Sequence, residues 1–289
     1  MATSMTGAAR TTPPADPARA EPPPWYDLAP PVWSGPGAAG RYFDLLHNLV
    51  GRAIKLRYKR SVLGFAWTML NPLVTMAILT AVFSTAFATT VPSYPAFVIV
   101  GLLAWNLFAL GSSQGLASIV DSGQLIRKVG VPKVIFPVAA VAANLLNFLL
   151  SLVPLLAIIL VLRVRITWAV LWLPLGVLLI TCFTTGIALL LATLNVFFRD
   201  VRYFYEAALL AWFYATPVFY PVAIAPPRVQ ALLRWNPMYV LVEVFRAPLY
   251  AGTAPGWGTL ALATTESLLA LALGWGIFRR YQARFIDYV

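Results

Sequence analysis

Beyond residue 60 the chain alternates between long apolar stretches and short segments that hold most of its charge. The stretches run over 61–88, 95–120, 134–162, 166–198, 204–220 and 257–278. A helix needs roughly 20 mainly apolar residues to cross a bilayer. Backbone amides in lipid must be satisfied within their own segment, which selects helices over open strands. The pattern predicts an all-α integral membrane protein with six transmembrane helices.

Residues 40–56 follow a different rhythm. At about 100° per residue, Asp44, His47, Asn48, Arg52 and Lys55 share one arc, while Tyr42, Phe43, Leu45, Leu46, Leu49, Val50, Ala53, Ile54 and Leu56 fill the other. Such a helix is expected to lie in the membrane interface. The pattern breaks after Leu56, because Arg57 and Arg60 would fall on the apolar arc. Residues 1–39 carry no apolar periodicity and read as a disordered cytoplasmic tail. The expected organisation is a tail over 1–39, an amphipathic interface helix with a basic patch over 40–60, and a six-helix transmembrane domain over 61–289. Between the fifth and sixth stretches, the run from Pro237 to Pro248 is too short to cross and contains Glu243 and Arg246. Short re-entrant helices are expected there, with the two charges paired at i,i+3 spacing.

Composition agrees with a membrane location. The chain is 60% hydrophobic and 11% charged, with mean hydropathy +0.78 and formal net charge +11. A soluble domain carries roughly 25% charged residues. In a soluble protein the positive charge would point to nucleic acid; here it points to anionic lipid, and no nucleic-acid partner is expected. Lys and Arg also set orientation. Arg41, Arg52, Lys55, Arg57, Lys59, Arg60, Arg127, Lys128, Lys133, Arg199, Arg202, Arg279, Arg280 and Arg284 fall on one side of the six spans. Arg163, Arg165, Arg228, Arg234 and Arg246 fall on the other. Both termini are expected to be cytoplasmic in a bacterial plasma membrane. His47 has no second His or Cys near it in sequence, so no metal site is expected.

Several segments carry candidate chemistry. Arg57 and Arg60 stand at the cytoplasmic mouth of the first span and suit either lipid anchoring or a lipid pyrophosphate. Phe65, Trp67, Trp212, Phe213, Tyr214, Phe219 and Tyr220 offer rings that could line a substrate channel, or form an interfacial belt and ordinary packing. Glu206 can pair with Arg202. Glu266 lies within the sixth span, where an ionisable group is either functional or satisfied by Thr264, Thr265 and Ser267. No G-x-x-x-x-G-K-[ST] phosphate loop occurs in the chain, so any ATP hydrolysis belongs to another subunit.

The stretch "LRYKRSVLGFAWTMLNPL", Leu56–Leu73, resembles the permease subunits of ABC transporters that export polysaccharides such as O-antigen, capsule, teichoic acid and galactan. "QLIRKVGVPKVIFPV", "FRDVRYFYEAALLAWFYATPVFYP" and "NPMYVLVEVFRAPLY" extend the resemblance, with Val131 where the family has an aromatic residue. It implies a homodimer working with two copies of an ATPase subunit that binds ATP and magnesium, this chain having no cofactor and no catalytic role. The cargo would be a polyprenyl-pyrophosphate-linked polysaccharide, with galactan or O-antigen as candidates. The cytoplasmic loop after the second span would be the coupling helix, with Leu125 and Ile126 as apolar knobs beside Arg127, Lys128 and Pro132. Rival readings are an ABC exporter of a drug or lipid, an ion-coupled transporter and a membrane glycosyltransferase. The glycosyltransferase would need acid clusters that this chain lacks.

Overall fold

The computed structural model describes residues 38–289, apart from positions 60, 62, 65, 88, 129, 130 and 165 and the side chains of residues 38, 58 and 128. Residues 1–37 of the tail expected over 1–39, together with Arg60, Phe65 and the Lys128 side chain, therefore lie outside the described residues, and residues 38 and 39 open the first helix instead. Regular structure among the described residues is helical, with no strand.

Among the described residues, five helices are long and apolar enough to cross a membrane. They are α2 (Ala66–Phe87), α3 (Tyr94–Asp121), α5 (Ile135–Val161), α6 (Leu173–Phe197) with a 3-10 lead-in over Trp168–Trp172, and α10 (Trp257–Tyr281) running on through α11 (Phe285–Tyr288). The sequence pattern predicts six. The expected fifth span over 204–220 is instead α7 (Val201–Ala215), 15 residues long. At 1.5 Å per residue it reaches about 22 Å, short of a hydrocarbon core of roughly 30 Å. The stop is chemical: Pro217 disfavours helical geometry at the residue before it, and Thr216 is extended, with φ −104° and ψ 128°. The first span also begins later than the pattern suggests, at Ala66, after Gly64 turns the chain with φ 48°.

The core is built on α3, α6 and α10. Small residues let their backbones approach closely, the main route to tight helix packing in lipid. A methyl group on Gly274 would strike the Gly186 carbonyl, and one on Gly186 would strike the Ala270 carbonyl. Between α6 and α3, Asn195 Nδ2 donates to the Leu116 carbonyl at 3.1 Å. The short helices α8 (Pro227–Leu233) and α9 (Pro237–Arg246) follow α7, and α9 packs against α3, α6 and α10. Seven of the ten α9 residues are buried. A five-residue π turn over Ala247–Ala251 continues it, closed by Gly252 with φ 66°.

By contrast, α2 is held loosely. Trp67, Leu70, Val74, Ile78 and Val82 form an exposed stripe along it. Helix α1 (Ala38–Tyr58) sets Leu46, Leu49, Ala53 and Ile54 against Ala139, Ala142 and Ala143 of α5, leaving Phe43 and Leu56 exposed. Much of its apolar arc is thus covered by protein.

Several basic residues gather at one end of the bundle. There Lys133 Nζ donates to the Gln282 carbonyl at 2.6 Å, and Arg199 donates to the Tyr288 carbonyl at 3.0 Å. Burial lowers the Lys133 pKa, and nearby Asp287 opposes that shift. Helix α4 (Gly123–Lys128) folds against this end, with Ile126 in a cluster with Ile119, Phe136, Phe278 and Phe285.

Candidate functional site

At the end of α1 the chain leaves the amphipathic pattern and sets the exposed Arg57 against α3 and α5. Its guanidinium donates to Asn144 Oδ1 through Nη1 and Nη2, each at 3.2 Å, and to Gln114 Oε1. Asn144 Nδ2 in turn donates to Gln114 Oε1 at 2.9 Å and to the Ala140 carbonyl at 2.8 Å. Asn144 lies about 14 Å along α5 from its start, at 1.5 Å per residue, so the exposed Arg57 makes its contact at that depth along the helix. No carboxylate pairs with Arg57 among the described residues. Amide oxygens orient the cation without neutralising it.

Arg57 opens on a cavity of about 310 Å³ between α2, α3 and α5. Its lining includes Ser61, Trp67, Asn71, Asn106, Asn147 and Ser151. Trp67 is 51% exposed. Gln114 also borders a larger cavity of about 970 Å³ nearer the basic end, walled by Arg52, Asp121, Arg202 and Glu206 among others. The structure thus brings Arg57 and Trp67 to one groove. Sequence reading missed its amides, although Asn144, Asn147 and Ser151 fall at i, i+3, i+7, and Asn106 and Gln114 at i, i+8. Those are single-face helical spacings.

The aromatic candidates divide. Phe213, Tyr214, Phe219 and Tyr220 form one contiguous group beyond the middle of α7, with centroid separations of 5.2–6.1 Å between touching rings. Trp212 packs into the bundle, as Phe213 also does against Trp105 at 5.4 Å. Trp212 meets Phe108 edge-on at 5.0 Å, and its Nε1 donates to Asn236 Oδ1 at 2.8 Å. Asn236 also accepts from Met238 N, capping α9, and donates to Thr216 Oγ1 and the Ala215 carbonyl. Trp212 is therefore a packing and tethering residue. One side chain, Asn236, joins the end of α7 to the start of α9.

Arg246 is 4% exposed. It pairs with Glu243 at 3.3 Å and donates to the Val218 carbonyl at 2.6 Å. Its guanidinium carbon stands 3.7 Å from the centre of the Phe97 ring. Gly101 makes room: a methyl group there would come within 2.8 Å of both Arg246 Nη2 and the Val218 oxygen. Arg202 pairs with Glu206 at 3.3 Å on an exposed face. The Thr264 and Thr265 hydroxyls donate to the carbonyls of Leu260 and Ala261 of their own helix, and Glu266 Oε2 is buried with no hydrogen bond.

Of the residues expected to project from the loop after α3, Ile126 is 5% exposed and serves this chain's own core. It packs among Ile119, Phe136, Phe278 and Phe285, so it is not an exposed knob in this chain. Leu125 and Pro132 are half-buried and Arg127 is exposed.

Residues 45–250 match the ABC-2 type transporter family. The O-antigen export system permease protein RfbA of Myxococcus xanthus is 34% identical over 86% of this chain and 96% of its own length. A permease of the same name from Klebsiella pneumoniae is 28% identical over the same shares. The polysialic acid transport protein KpsM of Escherichia coli is 22% identical over 79% of this chain and 90% of its own length. The membrane-length helices, the motif around Arg57 and these matches have one common meaning: the chain belongs to the ABC-2 type transporter family.

Proposed function

We propose that this chain is the channel-forming half of an ATP-driven exporter that moves a lipid-linked polysaccharide, of O-antigen or galactan type, from the cytoplasm across the plasma membrane. Two copies would form the channel, and two copies of an ATPase subunit would supply ATP hydrolysis with magnesium. The names of the O-antigen and polysialic acid relatives support the cargo class. In this reading the basic end faces the cytoplasm, α7 is the fifth crossing, shortened, and α8 and α9 enter from the far side and return. The exposed apolar stripe of α2 and the exposed face of α7 then suit contact with lipid or with the second copy.

The observation that carries the reading is Arg57, a cation oriented by two amides, unpaired with any described acid and open to a cavity. Such a group suits a pyrophosphate. With Arg60 it would receive the lipid head arriving from the cytoplasmic side, with Phe65 and Trp67 following close in sequence. Phe213, Tyr214, Phe219 and Tyr220 would then give the glycan sliding surfaces farther along. Coupling to the ATPase would pass through the outer face of α4, by Leu125, Arg127 and Lys128 with Pro132 behind them.

The experiment is lipid-linked glycan accumulation in cells carrying Arg57→Ala with Arg60→Ala, beside a topology reporter. The expected outcome is normal insertion and complex assembly with glycan retained in the inner leaflet. Normal export by the double variant would reduce the two residues to lipid anchors.

A further inference from the structure

Polar side chains inside a membrane bundle are costly unless they face protein or a water-filled cavity. The cavity between α2, α3 and α5 collects Asn71, Asn106, Gln114, Asn144, Asn147 and Ser151. Part of this set is spent internally. Gln114 and Asn144 bind each other and Arg57, and Ser151 Oγ donates to the Asn147 carbonyl at 2.8 Å. Asn71 and Asn106 are different. Both line the cavity, and neither side-chain amide has a hydrogen-bond partner among the described residues. Each amide offers two donors and an acceptor. Trp67 adds a half-exposed ring to the same wall, and no carboxylate belongs to the lining.

The chemistry that fits is specific in kind. A lining without acids does not favour a cation, and one arginine at the rim favours a single anionic end. Free amides beside an aromatic face suit vicinal hydroxyl or acetamido groups on a ring with an apolar side. A sugar joined to a phosphate has these parts in this order. We propose that the α2–α3–α5 groove is a subsite for the first sugar of the lipid-linked glycan, with Asn71 and Asn106 as its specificity-determining residues and Arg57 on the adjoining phosphate. This rests on the export reading above and adds to it a place where the sugar next to the lipid is recognised. A polyol phospholipid headgroup shares this chemistry, so the test must separate the two sources.

The test uses the chain assembled with its ATPase subunit in lipid nanodiscs. Two probes are compared: a polyprenyl pyrophosphate carrying one N-acetylhexosamine, and the same pyrophosphate without sugar. The wild type should hold the glycosylated probe about tenfold more tightly, the size of one or two net hydrogen bonds. Asn106→Leu and Asn71→Leu should each remove most of that preference and leave the affinity for the bare probe within about twofold. Asn106→Gln, which keeps an amide, should retain part of the preference and so separate hydrogen bonding from packing. Arg57→Gln should weaken both probes. The subsite is overturned if the leucine variants keep the preference, if they weaken both probes alike, or if the wild type holds both probes equally. It is also overturned if phosphatidylglycerol displaces the glycosylated probe at equal concentration, which would make the groove a headgroup site. A wild type that binds neither probe overturns the export reading itself, and the subsite with it.

Discussion

Arg57 and Arg246 each set a guanidinium against polar groups of the helical bundle, the first exposed and the second buried, and their surroundings are opposite in kind. Arg246 has a carboxylate, a carbonyl and an aromatic face around it and almost no exposure. Every near group complements its charge or its shape, and a glycine in α3 leaves the space it needs. Arg57 has two amide side chains and a cavity. A buried charge is tolerated when paired and hydrogen-bonded; a charge oriented by neutral groups beside open space is kept available. The first arginine ties α9 to α3 and to the segment after α7. The second has capacity left for a ligand.

That contrast can be broken most directly at Arg246. Arg246→Leu should cost about 3 kcal/mol, because it strands the Glu243 carboxylate and the Val218 carbonyl. The half-exposed Glu243 keeps the loss at the low end of the range for buried pairs. Chemical denaturation in detergent would measure it, and a change under about 1 kcal/mol would remove the clamp role. Gly101→Ala attacks the same clamp through space alone and should cost about 2 kcal/mol by overpacking, read by the same denaturation. Glu243→Gln keeps an acceptor near Arg246 and removes only its charge; a loss of about 1 kcal/mol is expected. The smallest stability effect belongs to Arg57→Ala, under about 1 kcal/mol, while its transport in reconstituted vesicles should fall to background. Equal destabilisation by Arg57→Ala and Arg246→Leu would erase the distinction between the two sites.

The spans were readable because hydropathy over about 20 residues is a direct statement of solvent. Helices α3, α5 and α10 begin within a residue of the expected positions. The pattern failed where backbone chemistry overrides hydropathy. Pro217 ends α7 early although Val218 and Phe219 remain apolar, and Gly64 delays α2. Spacing suggests the Glu243–Arg246 pair, but the Val218 carbonyl and Phe97 ring come from other segments that only the fold brings near. Ile126 looked free to meet a partner because its cover, Phe278 and Phe285, lies at the far end of the sequence. The amides lining the groove were legible in principle. Their helical spacing is plain once α3 and α5 are placed side by side, and each alone looks like one tolerated polar residue in an apolar span.

The touching backbones of α6 and α10 have a practical consequence for anyone engineering a sturdier form of this protein. Exchanging helical glycines for alanine is a common route, since glycine costs a helix interior about 1 kcal/mol relative to alanine. At Gly186 and Gly274 the added carbon would meet main-chain atoms of the facing helix, which cannot rotate aside, so the exchange should lower the melting temperature. Gly51 in α1 and Gly276 in α10 meet nothing within 4 Å. Those two, away from the helix ends, are positions at which the exchange should raise it.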